Sequence, residues 1–141
     1  MKSLCSISMF LARLCLATIF IIAGINKFFA WDATASFMAA KGIPMAPFFL
    51  VIAALLEIIC GICLVIGYQT RIAAGVLMLF LIPTTGIFHD FWNVLDPIAR
   101  ELQTVMFLKN LAIFGGLWYV LCFGSGKYSC DAGCCSHRNI E

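Results

Sequence analysis

Apolar residues fall in four long stretches, roughly 7–24, 48–67, 72–88 and 105–123, separated by polar links. A hydrocarbon core about 30 Å thick takes about 20 helical residues at about 1.5 Å each, and all four stretches meet or nearly meet that length. Backbone N–H and C=O groups find no water in lipid, so such segments must satisfy themselves as helices. The pattern predicts an all-α fold, an integral membrane four-helix bundle.

The links refine it. Residues 68–71 after Gly67 are so few that the second and third spans must form an antiparallel hairpin, with Gly67 ending one helix and Thr70 capping the next. In the longer first link, Asp32 or Thr34 is the expected cap of a short helix running through Phe37 and Met38, stopped by Gly42, Pro44 and Pro47. Trp31, Phe37 and Met38 would hold it flat at the interface. Asp96-Pro97 reads as an N-cap and first helical residue, followed by a polar turn, Arg100-Glu101, before lipid is entered. Pro83 inside the third span should kink it, with Thr84 and Thr85 near the freed carbonyls.

Composition agrees: 63% of residues are hydrophobic and 11% charged, against about 25% charged in an ordinary soluble domain. The 141 residues divide into a bundle over 1–124 and a cysteine-rich polar tail over 125–141, leaving no room for a soluble catalytic module. A net charge of +2 excludes nucleic acid as an expected partner. The apolar run after Met1-Lys2-Ser3 exceeds a signal-peptide core, contains Arg13 and lacks a small-x-small cleavage site, so it reads as a retained first helix. Lys2, Arg71, Lys127 and Arg138, with Arg13 nearby, fall on one side of the bilayer. Lys27, Lys41 and Arg100, with Lys109 close by, fall on the other. The slight excess predicts cytoplasmic termini.

A charge at the bilayer centre costs at least about 2.5–3.5 kcal/mol, so each calls for a partner or a purpose. Glu57 lies near the middle of the second span, with Ala53 and Gly61 on its face. Arg13 shares a face with Ala17 and Gly24, and Lys109 one with Ala112 and Gly116. Convergence of these small-residue faces would pair Glu57 with Arg13, Lys109 or both, next to Asn110. Such a site is either an ion pair fixing helix register or a proton or substrate site. The same topology brings Asn26, Lys27, His89, Asp90, Lys109 and Asn110 toward one end, with Phe91 and Trp92 at that level. This makes either a polar mouth for the head of a lipid-soluble molecule such as a quinone, or an ordinary interfacial belt.

Cys60 and Cys63 have CxxC spacing but lie inside a span, where cysteine behaves as a small hydrophobe; the same holds for Cys15 and Cys122. The links 27–47 and 90–104 contain no cysteine, which weighs against a membrane thiol oxidase. In the tail, Cys130, Cys134, Cys135 and His137 form a set of soft ligands suited to Zn, Cu(I) or another thiophilic ion, although their spacing fits no standard zinc pattern. Reduced cytosolic thiols without a metal are the alternative.

The run from Arg13 through Gly24 to Lys27, then Gly42-Ile43-Pro44, Glu57 with Gly61, and Gly67 through Arg71 resembles the DoxX family. Phe88 through Trp92 and Lys109 through Gly116 extend the match, which covers roughly 11–121 and leaves out the tail. The resemblance implies a small four-helix protein of the bacterial cytoplasmic membrane, related to DoxD-type subunits of a thiosulfate:quinone oxidoreductase and to members of oxidative-stress complexes. The leading expectation is a membrane component of a quinone-linked redox system, acting with a protein partner or as a homo-oligomer in the lipid bilayer. The alternatives are a carrier for a small solute or thiophilic metal ion, and a non-catalytic scaffold subunit.

Overall fold

The computed structural model describes residues 2–132, with side chains from residue 6 onward. Four of its helices are long and apolar enough to cross a membrane: α1 (Lys2–Phe29), α3 (Ala46–Ile66), α4 (Thr70–Phe88) and α5 (Pro97–Phe123). A shorter helix, α2 (Trp31–Ala40), joins the first two, and a single 3-10 turn (Phe91–Asn93) precedes α5. No strand occurs among the described residues.

The α1–α3 contact is the most extensive, followed by α4–α5 and then α3–α4, while α5 touches α1 only lightly. The tight α1–α3 seam follows from glycine. A Cβ on Gly24 would stand 2.7 Å from Ile58 Cγ1 and 2.9 Å from the Ala54 carbonyl oxygen, so only glycine lets the two backbones approach this closely. The core runs through Ala17, Phe20, Leu64, Ala74, Leu77 and Leu117, whereas most large apolar side chains face outward, as lipid allows.

Where the helices begin and end is set by local chemistry that the sequence shows only in part. Gly67 ends α3 at φ 76°, and Asp96 caps α5 by accepting the Ala99 N–H at 2.8 Å ahead of Pro97. α4 starts differently from expectation. Thr70 is a donor: its N–H and its hydroxyl both reach the Asp131 carboxylate, at 3.0 and 2.7 Å, and the Gln69 N–H reaches it at 2.8 Å. The cap thus comes from 61 residues downstream. Neither Asp32 nor Thr34 caps α2; Asp32 lies in its first turn, and the Thr34 hydroxyl donates back to the Ala30 carbonyl. α2 is held by burial of Met38 against Ala46 and Leu50, and by the Phe37 ring 5.6 Å from Phe88. Pro83 lies within an unbroken α4, where the Thr84 hydroxyl donates to the Phe80 carbonyl at 2.8 Å.

Candidate functional site

Antiparallel packing of α1 on α3 fixes which charges meet. Gly24 lies against Glu57 Cβ and Ala54, and Gly61 against Ala17, so the glutamate stands level with the far end of α1. Its partner is Lys27, whose Nζ lies 2.6 Å from Glu57 Oε2. Glu57 is 6% exposed, and the Lys27 side chain 22%. The carboxylate is thus buried against its counter-charge, while the lysine keeps part of its side chain open to the surroundings.

The expected pairing of Glu57 with Arg13 is corrected by this register. Arg13 precedes Lys27 by fourteen positions, about 21 Å along the helix, which takes it to the opposite end of α3. There it is 2% exposed. Its guanidinium donates to the Leu64 carbonyl at 3.0 Å and to the Tyr128 carbonyl. It therefore ties the last turn of α3 to the segment following α5. That segment also reaches the α3–α4 turn through the Asp131 N–H, which donates to the Gly67 carbonyl at 2.9 Å. Burial pushes the Asp131 carboxyl upward, but hydrogen bonds from Thr70 and Gln69 and the charge of Arg13 outweigh it. The group ends below the usual carboxylate range.

Lys109 is not a partner of Glu57 either. Its Nζ lies 3.2 Å from Met106 Sδ, and among the described residues no carboxylate pairs with it. Yet Lys109 and Asn110 share one cavity with Lys27 and Glu57, a cleft of about 860 Å³ bounded by α1 to α5. Its wall is mostly apolar, with Phe20, Met38, Leu81 and Ile113 among its lining. The Asn110 side-chain amide donates to the Thr85 hydroxyl at 3.0 Å.

The mouth residues expected from sequence divide into two groups. Lys27 and His89 line the cleft, whereas Asn26, Asp90 and Trp92 do not. Asp90 instead clasps Lys41 at 2.6 Å, and Lys41, on the link after α2, does line it. Trp92 is exposed and packs edge-on against Phe91 and Phe107, and Asn26 is exposed. His89 Nδ1 lies 2.9 Å from Gln103 Oε1. This contact occupies Nδ1 and leaves Nε2 without a partner among the described residues. Sequence reasoning did not place Lys41 or Thr84 at the cleft; for Lys41 the amphipathic link before α3 was the available signal. Of the tail ligands, Cys130 is exposed, and Cys134, Cys135 and His137 lie outside the described residues. Among the described residues, no three His, Cys, Asp or Glu side chains are grouped to hold a metal.

Four bilayer-length helices around a part-polar cleft define a small polytopic membrane protein. The chain belongs to the DoxX family, whose model matches residues 8–90. The resemblance read in Lys109–Gly116 lies beyond that match. The chain is similar to inner membrane protein YqjF of Escherichia coli, 33% identical over 131 residues, which cover 93% of this chain and 95% of that one. It is also similar to inner membrane protein YphA of the same organism, 31% identical over 122 residues and 86% of each chain. A shorter likeness, 37% over 68 residues, reaches the Surfeit locus protein 4 homolog of Schizosaccharomyces pombe, over 48% of this chain and 22% of that protein. No solved structure gives a significant match.

Proposed function

We propose that this protein is the membrane component of a quinone-linked redox system and that the cleft receives the quinone head. The observation that carries the reading is the composition of the cleft. It is mostly apolar, yet within the membrane-spanning helices it presents the ammonium of Lys109, the Lys27–Glu57 pair and, at its end, His89. A quinone brings a flat apolar ring, an apolar chain and two accepting oxygens. Lys109 supplies a donor to such an oxygen, and His89 Nε2 a hydrogen-bond partner for the hydroxyl of the reduced ring.

In this reading the electrons come from a partner protein, and the bilayer is that of the bacterial cytoplasmic membrane. The inner-membrane relatives support the location. The distribution of Lys and Arg supports termini on the cytoplasmic side.

Titration of purified protein in lipid nanodiscs with a decyl benzoquinone tests the assignment. Saturable binding is expected, weakened about tenfold or more in the His89→Ala/Lys109→Ala double variant, the loss of one charge-assisted and one neutral hydrogen bond. No saturable binding, or binding undiminished in the double variant, removes the quinone site.

A further inference from the structure

The cleft does not balance its own charge, and the imbalance falls on one residue. Lys27 is answered by Glu57 at 2.6 Å and Lys41 by Asp90 at 2.6 Å. His89 is occupied on one nitrogen by Gln103, and the Asn110 amide by Thr85. Among the described residues, Lys109 alone has only a thioether, Met106 Sδ at 3.2 Å, which is a weak acceptor. It follows Pro97, the first residue of α5, by twelve positions, about 18 Å of helix axis, and it lines the cavity. Lys109 is exposed, so its ammonium stands at the open side of the cleft rather than buried in it. A charge at this depth of a spanning helix without a counter-charge is still costly, and a negative oxygen brought by the ligand offsets that cost.

We propose that the cleft selects its ligand in anionic form, with Lys109 as the specificity-determining residue that receives a charged oxygen of the ring. This rests on the quinone reading above and names the ligand class within it: a quinonoid head bearing one negative charge. A neutral ring meets Lys109 through an ordinary carbonyl. An ionised ring oxygen makes the shorter, stronger charge-assisted contact and leaves the cleft neutral as a whole. The paired lysines do not substitute for it, because attracting the ligand to either would mean breaking an ion pair already made.

A matched pair of probes tests this: a 2-hydroxy-1,4-naphthoquinone carrying an alkyl chain, ionised at neutral pH, and its neutral 2-methyl ether. In nanodiscs of zwitterionic lipid, the wild-type protein should bind the ionised probe about tenfold tighter than the ether, the usual gain of a charged over a neutral hydrogen bond. Lys109→Gln and Lys109→Met should each bring the two affinities together, mainly by weakening the ionised probe, and Lys109→Arg should keep the preference. Equal affinities in wild type, or a preference that survives both neutral variants, overturns the inference while leaving the cleft as a quinone site. If neither probe binds, the quinone reading itself falls, and this inference with it.

Discussion

Separating Lys27 from Glu57 is the most informative perturbation of the fold. The carboxylate is 6% exposed and bound at 2.6 Å, so Lys27→Met strands it in an apolar setting. Breaking a buried pair from one side costs about 3–5 kcal/mol. The open cleft beside Glu57 relieves part of this, which puts the expected loss near 3 kcal/mol. Glu57→Gln is milder. The amide still accepts from Lys27, and Lys27 stands two positions before Phe29, the end of α1, with 22% of its side chain exposed. Its ammonium can therefore swing toward the interface, for a loss of about 1–2 kcal/mol. Lys27→Met/Glu57→Gln removes both charges and leaves one neutral amide to bury, so it should lie within about 1–2 kcal/mol of wild type. Unfolding in mixed micelles with increasing SDS, followed by circular dichroism, gives the four stabilities. The coupling should be about 3 kcal/mol. Losses that simply add in the double variant would refute the buried pair.

Other sites give sharper local outcomes. Gly24→Ala should destabilise by about 1–3 kcal/mol in the same assay, because the new methyl meets the immovable Ala54 carbonyl. Gly61→Ala should cost less, since the nearest atom is on the flexible Ile21 side chain. Asp131→Asn should cost about 1 kcal/mol as a weakened cap of α4. Because the native Asp131 carboxyl is held below its ordinary value, its contribution is complete above that ordinary value and is lost as pH falls through the lower native one. The gap between wild type and variant should therefore stay flat from about pH 7 to 5 and close below about pH 4. Arg13→Met should release the Tyr128 carbonyl, and faster tryptic cleavage after Lys127 would report it.

The spans were legible because lipid leaves the backbone one solution, and the ends at Gly67 and Asp96 because their caps are local. The ionic partnerships were not. Whether Glu57 meets Arg13, Lys27 or Lys109 depends on the register of α1 against α3, which is set by the nesting of Gly24 and Gly61 and not by any spacing along one helix. Those glycines were visible as small-residue faces, and a register drawn through both would have placed Lys27 beside Glu57. The Asp131 cap had no local sign at all, since donor and acceptor are far apart in the chain. The pairing of Lys41 with Asp90 was not legible because it needs α2 folded down beside Phe88.

The cleft is the centre of the account, and a photoreactive azido-quinone reads it most directly. After illumination in nanodiscs, mass spectrometry should find the label on cleft residues such as Met38, Thr84 and Ile113, competed away by unlabelled quinone. Label spread over the lipid-facing side of α5, at Leu111 or Trp118, and indifferent to competitor would contradict it.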